Sequence, residues 1–249
     1  MKEKKDVKKS EFGDFQTPPN LASEALKHLK RSCPDFKPQT IIEPTCGVGG
    51  FLIAAADAFP CAQNIIGIEI EDSYISALKD KTVERSDQAR FDIRHQDFFA
   101  TDWTEHISQA KEPVLIVGNP PWVTSSDIGR LKGSNLPEKS NFQKYTGLEA
   151  VTGKSNFDIS EWMILQHLEW LAGSSGCIAM LCKTSVARKI LRSVWKAGQF
   201  NFESSIIKIN ALRHFGAAVD ACFFILQKTK NLEANSCLLY TSPSPRDRG

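Results

Sequence analysis

Hydrophobic positions along this chain alternate between short strand-like runs and longer stretches with helical spacing. Five apolar runs predict strands at 40–43, 64–69, 91–95, 114–117 and 177–182. Stretches with helical periodicity separate them, at 51–58, 71–81, 157–171 and 185–197. Alternation of this kind is typical of a parallel sheet with helices on both faces.

Two further apolar runs, 205–209 and 221–226, follow without a predicted helix between them. Neighbouring strands joined by a short connection pair in antiparallel fashion. The pattern therefore predicts an α/β fold with a doubly wound, mostly parallel seven-stranded sheet whose last strand is antiparallel. A polar stretch of more than 30 residues, 123–156, interrupts the series, and loops of that length are usually functional or disordered.

Composition says little about the class of partner that this protein binds. The 249 residues carry 31 basic and 29 acidic side chains, a balance that neither indicates nor excludes a nucleic-acid partner. No apolar run is long enough to span a bilayer, and the charged start, 1–11, is predicted to be a solvated, disordered tail without a secretory signal. Seven cysteines without a Cys-x-x-Cys pair predict buried, reduced thiols in preference to disulfides or a zinc site.

The C-terminal segment calls for a separate interpretation. From Cys237 the chain reads Cys-Leu-Leu-Tyr-Thr-Ser-Pro-Ser-Pro-Arg-Asp, which resembles the translation of a transposase adapter used in sequencing libraries. A flexible Ser/Pro-rich tail is the alternative. We therefore expect one folded domain over 12–230, an artefactual tail over 237–249, and a natural C-terminal region that is missing.

The most informative motif directly follows the fourth predicted strand and reads Asn119-Pro120-Pro121-Trp122. The nitrogen of a planar amino group is a poor nucleophile, because its lone pair is delocalised. An amide oxygen from Asn119 and the carbonyl of Pro120 can accept hydrogen bonds from its two protons, while the prolines keep the chain stiff and extended. Trp122 offers a face on which a base can stack. A strand that ends in a proline-rich turn is the simpler interpretation.

Acidic or polar residues end the preceding strands as well. A glycine-rich turn follows Glu43, and Glu69 lies 22 positions beyond Gly47, which suits a carboxylate that binds ribose hydroxyls. The turn lacks the lysine of a phosphate-binding loop, so ATP is not favoured. Asp97 and Phe98 can bind an adenine through its amino group and its face. An acidic cluster of this kind disfavours a pyrophosphate and tolerates a cationic sulfonium.

These motifs resemble, in order and approximate spacing, the DNA amino-methyltransferases that use S-adenosylmethionine, in the class where cofactor motifs precede the catalytic motif. The N-terminal segment 13–19 and the glycine turn 43–49 resemble the family's first two motifs, although Glu43 stands where aspartate is common. The resemblance covers about residues 12–228 and implies a Rossmann-like class I methyltransferase fold. The cofactor-binding residues that it implies are Phe15, Thr17, Pro18, Glu43, Thr45, Cys46, Gly47, Gly49, Glu69, Ile70, Asp97, Phe98 and Asn119.

The catalytic residues implied by the resemblance are Asn119, Pro120, Pro121 and Trp122, acting on an adenine flipped out of duplex DNA. The mechanism needs no metal. Phe215 is a candidate second aromatic against the base, with an ordinary core residue as the alternative. His95 is interpreted as structural or solvated, although it lies close to Asp97.

Two minor expectations concern the middle of the chain. The lysines of the 123–156 loop either touch phosphates or are simply solvated. Asp158 can cap the following helix, and it can also line the base pocket.

The resemblance implies adenine-N6 methylation of DNA, as part of a restriction–modification system. Methylation of RNA bases or of protein glutamine, and a non-catalytic DNA-binding subunit, remain open as alternatives. The expected partners are double-stranded DNA and a restriction endonuclease or a specificity subunit or domain. No membrane partner is expected, and the expected location is the bacterial or archaeal cytoplasm, in association with the nucleoid.

Overall fold

The computed structural model describes residues 15–123, 158–197, 202–228 and the backbone of 236–240. The predicted basic tail and the long polar loop lie outside these residues. The strands form one sheet in the order β3-β2-β1-β4-β5-β7-β6-β8. Their bounds are β1 Thr40–Glu43, β2 Asn64–Glu69, β3 Phe91–His95, β4 Val114–Gly118, β5 Gly176–Lys183, β6 Phe202–Ile209, β7 Ala221–Lys228 and β8 Ser236–Tyr240.

The first five strands are parallel, and β7 runs antiparallel to both of its neighbours, β5 and β6. The predicted doubly wound, mostly parallel sheet is therefore confirmed, and its antiparallel strand is β7, the last of the seven predicted strands. An eighth strand, β8, extends the described sheet beyond the prediction. The strand order reverses between β1 and β4, and ligands of open α/β sheets bind beside such a switch point, at the carboxyl ends of the strands.

Helices cover both faces of the sheet. They are α1 Pro19–Ser32, α2 Gly50–Ala58, α3 Asp72–Thr82, α4 Trp103–Ser108, α5 Ile159–Trp170, α6 Thr184–Ala197 and α7 Ala211–Phe215. None of the described helices combines the length and the apolar content that a membrane span requires.

Successive strand residues pack into different cores, because side chains alternate across a strand. Ile41 and Leu115 are fully buried in the core beneath α1 and α2. Their neighbours Ile42 and Ile116 are fully buried in the core beneath α5 and α6. The central strands are therefore apolar on both sides, as their continuous hydrophobic runs predict.

The segment between β6 and β7 differs from the expectation of a connection without a helix. The two strands do pair in antiparallel register, but the five-residue helix α7 lies between them. The Asn210 side chain caps its start by accepting from the Arg213 amide, and Gly216 ends it in a left-handed conformation. A helix of one turn is too short to leave a readable period in the sequence. The helices α1 and α4 were likewise not predicted.

The segment 236–240 overlaps the predicted artefactual tail, 237–249, whose origin stays a prediction. Ser236–Tyr240 forms β8, which pairs in parallel with β6 at the edge of the sheet. An edge strand presents unpaired backbone groups that an apolar segment such as Cys-Leu-Leu-Tyr can pair with, whatever its origin.

Candidate functional site

Asn119 directly follows β4, at the edge of the sheet where the carboxyl ends of the parallel strands meet. Its side-chain Nδ2 donates to the Phe15 carbonyl oxygen at 2.8 Å. This bond fixes the amide orientation, because a flipped amide would place two acceptor oxygens against each other. The Asn119 Oδ1 is then buried and has no hydrogen-bond partner among the described residues.

An unpaired buried acceptor costs about 1–3 kcal/mol, so such a group in a native fold needs a reason. The Asn119 Oδ1 is held in place by the hydrogen bond of the amide nitrogen, and no donor among the described residues reaches it. It can accept a hydrogen bond from a ligand amino group without prior rearrangement.

Three aromatic rings meet beside Asn119. The Trp122 ring lies 5.6 Å from Phe15 and 5.3 Å from Phe215 between centroids, and Phe15 and Phe215 lie 5.6 Å apart. The Trp122 Nε1 donates to the Leu181 carbonyl on β5 at 3.4 Å. The structure thus brings Phe215 to the catalytic motif. Trp122 is only 6% exposed, so a base that stacks on it must replace one of these ring contacts.

The glycine-rich turn between β1 and α2 faces the same edge. Gly49 has a φ of 81° and precedes α2, and a Cβ at this position would lie 2.2 Å from the buried Leu78 side chain. The turn therefore needs glycine for both its conformation and the close approach of α3. The Gly47 amide donates to Glu69 Oε2 at 2.8 Å, which joins the turn to the end of β2.

Glu69 is held by three backbone amides. Besides Gly47, the amides of Ile70 and Glu71 donate to its Oε1, both at 2.9 Å. A carboxylate has about four acceptor positions, so any ligand hydroxyl that binds Glu69 has to share this carboxylate with the backbone. Ile70 is 47% exposed beside it, which leaves an apolar surface available to a ligand. His95 Nε2 contacts the Ile70 carbonyl at 2.8 Å, in agreement with its structural interpretation.

Glu43, by contrast, is only 3% exposed, and its Oε2 has no partner within the described ranges. Burial raises the pKa of the Glu43 carboxyl well above its ordinary range, a backbone hydrogen bond from Leu52 opposes the rise, and the charge of Glu69 adds to it. The acidic character expected at this edge therefore rests on Glu69 and Asp97 more than on Glu43.

Two other predicted cofactor residues, Cys46 and Phe98, are buried in the structure. Cys46 is 3% exposed, and burial raises the pKa of its thiol, with Glu43 and Glu69 adding to the rise. Phe98 is 6% exposed, and its ring packs against Trp103, Trp162 and Trp170. Its role in covering an adenine stays a prediction.

Asp97 and Thr45 flank these buried positions. The Asp97 Oδ1 accepts from the Phe99 amide at 2.9 Å, and Thr45 lies half-buried in the turn.

The N-terminal segment links the turn to the catalytic motif. Phe15 accepts from Asn119, Thr17 has its carbonyl against Gly50, and Pro18 is the capping residue of α1. Between them, the Gln16 Oε1 accepts from the Val48 amide at 3.0 Å. Gln16 was not predicted as a site residue, although it stands inside the N-terminal motif; its polar amide beside a glycine turn was the available signal.

An ion pair joins the end of β5 to the start of α5. The Nζ of Lys183, the last residue of β5, lies 2.8 Å from Asp158 Oδ2. Asp158 also accepts a hydrogen bond from the Ser160 amide at the start of α5, which confirms its predicted capping role. The Ile159 amide donates to the Val123 carbonyl at 2.9 Å. The chain that follows Trp122 is thus tied to α5, and α5 is tied to β5. Lys183 was missed because its partner is distant in sequence.

The six cysteines whose side chains the structure describes are free thiols, and all of them but Cys61 are buried. Among the described residues, no group of three histidine, cysteine or acidic side chains has metal-binding geometry.

Comparison with known sequences gives a consistent picture. The family model described as N-6 DNA Methylase matches residues 1–246. The chain is 46% identical over 217 residues to the Type II methyltransferase M.NspV of Nostoc sp., which covers 87% of this chain and 45% of that protein. It is 29% identical over 133 residues to the Type II methyltransferase M.VspI of Vibrio sp., covering 53% of this chain and 28% of that protein. The chain therefore spans less than half the length of these relatives.

Solved structures share the fold. A protein of Listeria monocytogenes assigned to the class I S-adenosylmethionine-dependent methyltransferases superposes with a TM-score of 0.62 and 16% identity, covering 91% of this chain and 65% of that one. The methyltransferase subunit of a type I restriction-modification system from Streptococcus thermophilus superposes with a TM-score of 0.61 and 17% identity, covering 91% of this chain and 47% of that one. The class I methyltransferase fold expected from the sequence is confirmed.

Proposed function

The chain belongs to the N-6 DNA methylase family, and from this premise we propose that it transfers a methyl group from S-adenosylmethionine to the 6-amino group of adenine in duplex DNA. The observation that supports this most directly is the buried, unpaired Oδ1 of Asn119. An adenine amino group carries two protons and seeks two acceptors. The Asn119 Oδ1 is one, and the adjacent Pro120 carbonyl is the proposed second.

The residues around the glycine turn fit the cofactor that the family and fold imply. Glu69 offers a carboxylate to the ribose hydroxyls, and Ile70 offers an exposed apolar surface beside it. Gln16 and Phe15 lie between the turn and Asn119, where a methionine moiety would have to sit to reach the amino group. When bound, S-adenosylmethionine supplies an electrophilic methyl on a sulfonium.

The protein contributes position and electrostatics to the transfer. By accepting hydrogen bonds from the two amino N–H groups, the Asn119 Oδ1 and the Pro120 carbonyl draw the adenine nitrogen toward a tetrahedral, nucleophilic geometry. Trp122 and Phe215 hold the flipped base between them once the ring contacts of the free state open. The base pays a few kcal/mol for leaving the duplex, and stacking on these rings offsets it.

The similarity to a Type II methyltransferase supports a role as the modification enzyme of a restriction–modification system, acting on the same DNA as a cognate endonuclease. Such a role places the protein in the compartment that holds the cell's DNA. Recognition of a specific sequence is assigned to protein beyond the catalytic domain, a proposal that agrees with the greater length of the relatives.

The test is transfer of radiolabelled methyl from S-adenosylmethionine to unmethylated DNA, RNA or a release-factor protein, followed by digestion to nucleosides or peptides. We expect label in N6-methyl-2′-deoxyadenosine from DNA; label in RNA or glutamine alone would contradict the proposal. Asn119→Ala should lower the transfer rate by roughly 100- to 1,000-fold, as loss of one transition-state hydrogen bond does, while cofactor binding by calorimetry persists. The matched control is Asn64→Ala. Asn64 begins β2, at the edge of the sheet opposite the one that carries Asn119, so this variant should transfer methyl groups at the wild-type rate.

A further inference from the structure

Helix α6 carries an unusual exposed face. Its apolar side chains Val186, Ala187 and Ile190 are buried against the sheet. The opposite face is exposed and forms what we call the α6 stripe: Arg188, Lys189, Arg192, Trp195 and Lys196. The helix sequence, TSVARKILRSVWKA, contains no acidic residue. Four cations and an exposed tryptophan therefore share one continuous face.

Little of this charge is neutralised. The Lys189 Nζ lies 3.0 Å from Glu161 Oε2 on α5. Arg188, Arg192 and Lys196 form no ion pair with any residue that the structure describes. Trp195 is 45% exposed, among the most exposed large apolar side chains of the described ranges. A basic face interleaved with an aromatic ring is the surface expected to meet a phosphodiester backbone.

The position of the stripe relates it to the site. Helix α6 begins directly after Lys183, at the carboxyl end of β5, and β5 pairs in parallel with β4, where Gly118 lies opposite Met180. The first turn of α6 therefore lies at the same edge of the sheet as Asn119. From Arg188 to Lys196 the helix rises about 12 Å. That length matches roughly three to four phosphates of one strand along a duplex axis.

We propose that the α6 stripe binds the sugar–phosphate backbone of the DNA that flanks the flipped adenine. The inference rests on the proposed action on DNA and adds the direction in which the duplex leaves the site. Arg188 and Arg192, one helical turn apart, contact successive phosphates, and Trp195 packs against the sugar–base edge beyond them. These contacts set affinity and orientation and carry no sequence information.

The experiment measures binding of a fluorescein-labelled random-sequence duplex by anisotropy at several salt concentrations, for the wild type and for Arg188→Gln/Arg192→Gln. Each lost phosphate contact lowers the salt slope by about 0.9. The wild type should therefore lose roughly 12-fold more affinity than the variant between about 50 and 200 mM salt. The control Arg31→Gln/Lys37→Gln removes the same charge from exposed positions at the end of α1 and after it, across the sheet, and should keep the wild-type slope.

Circular dichroism and S-adenosylmethionine affinity establish that each variant is folded. The inference would be overturned if Arg188→Gln/Arg192→Gln kept the wild-type salt slope, or if the control variant changed its slope equally. An unchanged slope in the α6 variant is the result expected if the α6 stripe binds an acidic protein partner instead of DNA. Absence of duplex binding by the wild type would instead contradict the proposed function itself. As a second readout, DNA should quench tryptophan emission less in Trp195→Phe than in the wild type.

Discussion

Acid should destabilise this protein through His167, a fully buried histidine on α5. Its ring lies 4.9 Å from the Trp170 ring, and neither ring nitrogen has a hydrogen-bond partner among the described residues. Burial lowers the pKa of His167 from its ordinary value of 6.5 to about 3. The folded state therefore keeps the ring neutral at a pH where the unfolded chain protonates it.

The sign follows from proton linkage. Because the folded pKa is depressed, the stability contribution is fully present above pH 6.5 and is lost as the pH falls toward about 3. Each pH unit within this window costs about 1.4 kcal/mol. Between pH 7 and pH 5, this group alone should lower the free energy of unfolding by about 2 kcal/mol.

Urea unfolding followed by tryptophan fluorescence at pH 7 and pH 5 measures this loss. His167→Leu and His167→Gln both remove the titration, and the glutamine keeps a polar group, so the pair separates protonation from polarity. Both variants should lose about 2 kcal/mol less than the wild type between the two pH values. Equal losses in all three proteins would refute the assignment of the acid sensitivity to His167.

Two further changes test the frame of the site. Lys183→Met should lower the free energy of unfolding by about 1–3 kcal/mol, because it leaves the buried Asp158 carboxylate without its ion-pair partner. The same variant should reduce the methyl-transfer rate without changing the KM for S-adenosylmethionine. Recovery of stability in Lys183→Met/Asp158→Asn would identify the unpaired charge as the cause, and unchanged stability of the single variant would contradict it. Gly49→Ala should cost about 2–4 kcal/mol in urea unfolding, from its left-handed φ and the contact with Leu78. The control Gly173→Ala, where a Cβ meets nothing within 4 Å, should unfold like the wild type.

The sequence predicted the central strands and the residues at their ends because both depend on local pattern. Fully apolar runs such as that before Asn119 indicate strands buried on both faces, and parallel strands bring their carboxyl ends to one edge. It did not predict α1, although Pro19 at its first position and the buried Leu21, Ala25 and Leu29 carry a helical spacing. It also missed α7, whose single turn leaves too little period to detect.

Residue identity and order by themselves determined the α/β fold and predicted Asn119 as the centre of a site at the carboxyl edge of the sheet. Tertiary structure alone decided which of the predicted site residues are buried and which side chains they contact. It buried Glu43 and Phe98, and it placed Phe215 beside Trp122 across more than 90 positions of sequence. Burial, pKa and partner choice depend on atoms distant along the chain, so no local pattern encodes them. The unpaired oxygen of Asn119 becomes visible only when the Phe15 carbonyl is found to hold its amide nitrogen.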